Sequence, residues 1–335
     1  MGARNDTLEI GLLLYPGAQL AAVHGLTDLF GVANRMAAEH SDTPLPVLRV
    51  RHWAADAQSG EIRCVFDSHP QSAGRMSVVI LPPSLDALPE AGALQPFSQW
   101  LRRQHAAGAT LGSVCAGAFV LAQTGLLDGR RATTHWGSAR ALAERFPAVE
   151  VDADQLIVDD GDIITAGGLM AWTDLGLALV GRLLSPSIAS ATAHFLVVDL
   201  SRQSQRYFSR FAPPLTHGDA AVLKVQHWLQ KQGGREVSLG AMAAQAGLGE
   251  RTFLRRFQQA TGLKPTEYCQ QLRVARGREL LEFTQRSVDQ IAWEVGYQDP
   301  GAFRKVFQRI VGLAPKEYRM RFGVRRAGRE ESTGT

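Results

Sequence analysis

The chain has 335 residues, 45% hydrophobic and 20% charged, with a formal net charge of +4. This length and composition suit two globular domains and exclude a fibrous or disordered chain. The average hides a split: residues 1–218 hold 16 Lys+Arg against 20 Asp+Glu, whereas residues 219–335 hold 20 against 12.

The second part thus stands at +8 and points to a polyanionic partner, although charge alone favours nucleic acid only modestly, since basic faces without such a role are common. Cys64, Cys115 and Cys269 are too few and too scattered for a disulfide framework, and no spacing ties them to histidines as metal ligands. No cofactor or metal is expected. The opening residues carry acid at Asp6, and the apolar run after them breaks at Tyr15-Pro16-Gly17, unlike a signal peptide. No run of about 18 uncharged apolar residues occurs, so a membrane span is not expected and a cytoplasmic location is.

In chain order, Leu8–Tyr15, Leu48–Ala54, Val78–Leu81 and Thr110–Ser113 read as buried strands, each apolar and ended by Pro, Gly or polar residues. Helical patterns lie between them, at Leu94–His105 and Ser138–Phe146. Gln155–Asp159 and Asp162–Thr165 flank Asp160-Gly161, a hairpin signal. Leu169–Leu184 and Ser187–Leu200 read as closing helices. This alternation predicts an α/β sandwich, flavodoxin-like, with a mainly parallel sheet over residues 1–200. Residues 201–219 are polar and aromatic, contain Pro213-Pro214, and read as a semi-rigid linker. Residues 220–325 carry only helical periodicity, and 326–335 read as a disordered tail.

An internal repeat is the firmest signal in the all-α part. Phe253, Phe257, Gly262, Leu263, Pro265, Glu267 and Tyr268 recur fifty residues later as Phe303, Phe307, Gly312, Leu313, Pro315, Glu317 and Tyr318. Upstream, Ser238, Ala243 and Gly247 match Ser287, Ala292 and Gly296 with a one-residue slip. Each copy reads as helix, turn, helix. Ser287 with Gln290 forms a capping box, and Asp299-Pro300 supplies an N-cap followed by proline at the first helical position. With the phenylalanines inward, Arg251, Thr252, Leu254 and Arg255 in one copy face outward, as do Gly301, Arg304 and Lys305 in the other. Such a helix enters the major groove, where Arg reads guanine bidentately and Leu touches a thymine methyl. For one copy, solvated surface charge would be a serious rival; two matched copies reduce it sharply.

This part resembles the AraC/XylS family over about residues 220–322. The motifs are Pro265 with Tyr268, Arg273 with Ala275-Arg276, Leu280-Leu281, Ile291-Ala292, Val295-Gly296-Tyr297, and Gly312, Pro315 and Tyr318-Arg319. The resemblance implies a double helix-turn-helix domain that binds double-stranded DNA. Its connecting helix, here about Pro265–Phe283, would hold two recognition helices on one DNA face about one turn apart. Gly301 offers no side chain, so the first copy is expected to carry most base reading.

In the α/β part, Ala109 to Ala118 reads as strand, sharp turn and helix, with Cys115 at the turn and Gly112 and Gly117 on either side of it. A lone cysteine is ordinarily an inert core residue; the glycine-flanked elbow makes a pocket position an even alternative. Thr133-Thr134-His135-Trp136 brings a histidine within plausible reach of it. With Gly125-Leu126-Leu127-Asp128-Gly129, these residues resemble the ThiJ/PfpI family over roughly 8–185, the class I glutamine-amidotransferase-like fold. Fused to an AraC-type tail, this is the architecture of GlxA-like regulators.

The enzymes of the family pair the elbow cysteine with an acid from the first helix; that position falls on Ala22 here. They also use backbone N–H groups after the third strand as an oxyanion hole; that segment here is Leu81-Pro82-Pro83-Ser84, and Pro83 has no N–H. Ala116 follows the cysteine where a histidine or hydroxyl could have assisted it. The expectation is a non-enzymatic sensor of a small, nitrogenous effector, with Ser84, Cys115, His135 and Trp136 at the pocket. Trp136 has plain core as an equal alternative, and His24 reads as structural or at a dimer face. A homodimer through this domain, activation of transcription and association with the nucleoid complete the expectations. The competing class is a cysteine hydrolase or hydratase with a DNA-localising tail.

Overall fold

Alternate residues of the first apolar run feed opposite sides of one sheet: Ile10 and Leu12 pack into one core, Leu13 and Tyr15 into another. The computed structural model describes residues 7–41, 43–56, 58–70, 74–86, 91–200, 202–235 and 237–324; the stretch 326–335, read as a tail, lies outside them. The chain divides into two units, Met1–Gln205 and Arg206–Thr335, so the boundary falls inside the stretch 201–219.

The first unit runs β1 (Thr7–Leu14), α1 (Leu20–His40), β2 (Val47–Ala55), β3 (Ile62–Asp67), β4 (Arg75–Leu81), α2 (Ala91–Ala106), β5 (Thr110–Val114), α3 (Gly117–Ala122), β6 (Arg131–Ala132), α4 (Ala139–Arg145), β7 (Glu150–Val151), β8 (Ile157–Asp159), β9 (Ile163–Ala166), α5 (Trp172–Leu183) and α6 (Pro186–Leu196). Among the described residues the main sheet has the order β3-β2-β1-β4-β5-β9-β8, parallel from β2 to β9 with antiparallel edges. Helices α1, α5 and α6 pack together on one side, where Leu26, Phe30, Leu175 and Val180 are fully enclosed. On the other side Phe97, Leu101, Phe119 and Leu121 from α2 and α3 cover the sheet. Each such side chain contributes about 1.5–3 kcal/mol by leaving water.

The expected elements are present, with boundaries set by local backbone. The hairpin turns at Gly161, φ +86°, with Asp160 N–H donating to Ile163 O at 2.9 Å. Helix α5 starts at Trp172 rather than Leu169, after a turn through Gly168 at φ +93°. Helix α6 ends at Leu196 because Val197 turns left-handed at φ +55°. Strand β3 was not anticipated: it is an edge strand with Arg63, Val65 and Phe66 exposed, and it lacks the continuous apolar run of the central strands.

The second unit contains α7 (Ala220–Gln232), α8 (Leu239–Ala246), α9 (Glu250–Thr261), α10 (Pro265–Phe283), α11 (Val288–Glu294), α12 (Pro300–Val311) and α13 (Pro315–Phe322). It has two small cores. Phe253, Phe257 and Tyr268 centre one, and Phe303, Phe307 and Tyr318 the other. The repeat in the sequence is thus a repeat of cores, and α10 supplies residues to both. Each copy's second helix ends on a left-handed glycine, Gly262 at φ +74° and Gly312 at φ +86°, a conformation that L side chains rarely adopt. No helix among the described residues is long and apolar enough to cross a membrane.

Candidate nucleic-acid interface and effector site

In each repeat the second helix is fixed by two phenylalanines one turn apart. Phe253 and Phe257 on α9, and Phe303 and Phe307 on α12, are completely buried. The helical period then turns Arg251, Thr252, Leu254 and Arg255 outward on α9, and all four are exposed. Arg256 points elsewhere: its guanidinium donates to both carboxylate oxygens of Asp219 at 2.8 Å, the N-cap of α7. Among the described residues no ion pair holds Arg251 or Arg255.

On α12, Arg304 and Lys305 are exposed, but Arg304 is paired with Asp289 of α11. Gly301 is half-buried, and its place is explained by the cap. Asp299 accepts from the N–H groups of Gly301 and Ala302 at 2.8 and 3.0 Å, and a Cβ at 301 would lie 3.1 Å from Asp299 Oδ1. Glycine at this position therefore serves the helix terminus. Helix α9 starts on Gly249, which offers no side-chain cap. The capping box expected at Ser287 and Gln290 is formed, at 3.1 and 2.8 Å.

In the first unit, Cys115 follows β5 with φ +53°, a left-handed conformation that costs a non-glycine residue about 1–3 kcal/mol. Helix α3 can begin there because Gly117 lacks a Cβ: one built on it would meet Leu81 O at 2.4 Å. Cys115 N–H donates to Ala166 O at 2.8 Å, and Thr134 Oγ1 donates to Cys115 O at 2.7 Å, which fixes the turn. Burial pushes the thiol pKa up; the N–H groups of Ala116 and His135 oppose this without offsetting it. The ring of His135 is occupied otherwise: its Nδ1 accepts from Gly137 N–H at 3.1 Å, and it stacks on Trp136 with ring centroids 5.0 Å apart. Burial pulls the His135 pKa down.

Ser84 lies just past the end of β4, where it forms a bridge to Ala18; its hydroxyl is engaged with the backbone of Asp86 at 3.2 and 3.4 Å. Ala22 is wholly buried in α1, with no acid in that helix's first turn. Thus Cys115 and His135 meet through the histidine backbone, Trp136 adjoins them, and Ser84 stands at the same end of the sheet on the neighbouring strand.

Sequence reasoning passed over two residues here. Tyr15, at the end of β1, is 3% exposed and donates to Pro82 O at 2.6 Å; burial, with the nearby Cys115, raises its pKa. Its place at the carboxyl end of the first strand was the available signal. Gln205 is 2% exposed and sits behind the His135 loop, in a stretch read as linker. Two further polar atoms, Gln19 Oε1 at the start of α1 and Trp172 Nε1 at the start of α5, are buried without a partner among the described residues.

Comparison with known proteins gives the same two parts. Residues 78–182 match the DJ-1/PfpI family, and residues 242–321 match a helix-turn-helix domain. The chain is 30% identical over 224 residues to the HTH-type transcriptional regulator GlxA of Rhizobium meliloti, covering 67% of this chain and 69% of that one. It is 33% identical over 223 residues to the HTH-type transcriptional regulator ArgR of Pseudomonas aeruginosa, covering 65% and 67%. Drosophila melanogaster DJ-1beta aligns with a TM-score of 0.43 at 20% identity, over 58% of this chain and 99% of that one. The chain belongs to the GlxA-like family of DNA-binding HTH-type transcriptional regulators, in which a DJ-1/PfpI domain precedes an AraC-type helix-turn-helix region.

Proposed function

We propose that α9 carries most of the base reading and that α12 adds mainly backbone contacts. The observation that carries this reading is the pair of exposed arginines with no ionic partner among the described residues, Arg251 and Arg255, beside Thr252 and Leu254 on a helix locked by Phe253 and Phe257. On α12 the corresponding face offers Gly301, an Arg304 already paired with Asp289, and Lys305. Footprinting on a duplex selected by the full chain tests it. Arg255→Ala should weaken specific binding by about 1–3 kcal/mol and leave non-specific binding nearly unchanged. A normal footprint from that variant overturns the assignment. Affinity should also fall steeply as salt rises, because phosphate contacts release counterions.

The first unit acts, in the same reading, as a sensor of a small nitrogenous effector rather than as an enzyme, with Ser84, Cys115, His135 and Trp136 at the site. Ala22 and Ala116 provide no group to activate the thiol, and Pro83 no N–H for an oxyanion. Gln19 Oε1 and Trp172 Nε1, buried with no partner among the described residues, support a ligand at this end of the sheet, since buried polar atoms are rarely left unsatisfied. A thermal-shift screen of amines, amino acids and betaines on the full chain tests this, a hit losing its effect in His135→Ala and Trp136→Ala. The enzyme reading is favoured by one observation, the left-handed Cys115 at the elbow. Rapid, saturable, substrate-linked loss of that thiol would support it.

The regulator is further proposed to be an activator, acting in the cytoplasm on the nucleoid as a homodimer through its first unit. The exposed Val65 and Phe66 on edge strand β3 support the dimer, which light scattering of the purified chain checks.

A further inference from the structure

Gln205 saturates its amide with backbone and side-chain partners around the effector-side loop. Its Nε2 donates to Thr134 O at 2.7 Å, Thr133 Oγ1 at 3.1 Å and Gln155 O at 3.2 Å, and its Oε1 accepts from Trp136 N–H at 3.0 Å. Room for it is made by Gly167, where a Cβ would stand 2.2 Å from Gln205 Nε2. Thr134 in turn holds the Cys115 carbonyl, and His135 N–H points at the Cys115 thiol. The loop that carries His135 and Trp136 is therefore held by its own threonines and, in addition, by one side chain from the far end of the unit.

The next residue opens the second unit, and it is anchored just as firmly there. Arg206 Nε donates to Ile310 O at 3.3 Å, at the end of α12. The guanidinium of Arg278, a buried residue of α10, donates to the carbonyls of Arg206 and Ser209. Tyr207 is 8% exposed within the core of the second repeat, and Phe211 lies edge-on to Tyr268 in the core of the first, with centroids 5.1 Å apart. Residues 206–211 thus touch both cores that hold the recognition helices. A single peptide bond joins the two anchors.

We propose that Gln205 is a positioning residue that couples the His135–Trp136 loop to the DNA-binding unit, so that the state of one biases the other through the strap 206–211. The inference rests on the effector-site reading above for its biological purpose. Coupling itself is reciprocal, so it is measurable from the DNA side alone, without an effector.

The test is hydrogen exchange on the full chain, with and without a duplex selected by that chain from a random library. In the native chain, DNA should change exchange at residues 133–136, Trp136 N–H included, by at least about fivefold, the lower end of usual coupling factors. Gln205→Ala should reduce the change to less than about twofold while residues 250–311 still respond as before. Gln205→Glu keeps the acceptor for Trp136 N–H but sets a carboxylate oxygen against the carbonyls of Thr134 and Gln155, so it should not restore the change. Where Gln205→Ala fails to fold, a four-residue Gly/Ser insertion between Gln205 and Arg206 leaves both anchors intact and should abolish the response equally. If residues 133–136 ignore DNA in the native chain, or still respond through the insertion, the proposal is overturned. Neither result touches the effector reading, which the ligand screen decides separately.

Discussion

At the residue scale, one close approach and one buried thiol decide what the elbow can do. Gly117 lets the first turn of α3 rest on the end of β4, with its absent Cβ only 2.4 Å from Leu81 O. Gly117→Ala should therefore push backbone against backbone and destabilise the first unit by about 1–3 kcal/mol or more, read as a lower urea midpoint. Cys115 is governed by desolvation, which raises its pKa above the ordinary thiol range. Its alkylation by iodoacetamide in a Cys64→Ser, Cys269→Ser chain should be slower at pH 7 than that of a free thiol. The rate should keep rising through pH 9 without a plateau, because the thiolate is still the minor form there. A plateau near neutrality would reveal an activated nucleophile instead. The turn itself was legible, because the glycines around Cys115 mark a close approach and a left-handed backbone. Gln205 was not legible, because its burial depends on partners 50 to 72 residues away and leaves no periodic trace.

At the element scale, termini and edges explain where the reading of the sequence succeeded and where it fell short. Asp299-Pro300 announced the start of α12, and the carboxylate does accept two N–H groups there. Asp299→Ala should cost about 0.5–2 kcal/mol and loosen the first turn of α12, visible as faster amide exchange at Gly301 and Ala302. The same cap gives Gly301 its reason. Edge strand β3 was missed because half of its residues face water, yet it buries His52 of β2. That imidazole bonds Thr27 Oγ1 at 2.8 Å, packs on Phe66 with centroids 4.3 Å apart, and has His24 5.8 Å away. Burial, reinforced by His24, lowers its pKa from 6.5 to about 4. The neutral form is thus favoured in the folded state. As pH falls from about 6.5 toward 4, the unfolded chain takes up a proton that the folded chain refuses, and stability is lost over that window. The urea midpoint of the first unit should drop between pH 7 and pH 4.5, and the drop should be smaller in His52→Gln.

At the scale of the whole molecule, the division into two units and the division of charge coincide closely. The acidic part holds a sheet with a core on each side, and the basic part holds two helical cores spanned by α10. Both the α/β alternation and the fifty-residue repeat were plain in the sequence, since each is a local pattern renewed many times. The transition at 205–206 was blurred, because the residues around it are polar or aromatic and are buried by two different units in turn. The length of α10 has its own consequence. Nineteen residues of helix extend about 28 Å, and a helix of that length bends little. A spacer of fixed length cannot follow a change in the winding of its target. One base pair inserted between the two contacted segments displaces the second by about 3.4 Å and rotates it by roughly 34°, and five place it on the opposite side of the duplex. Titration against duplexes lengthened one pair at a time should show binding falling to the level of a single contacted segment by five, and recovering little at ten. That outcome would define the operator as much by torsional phase as by base sequence.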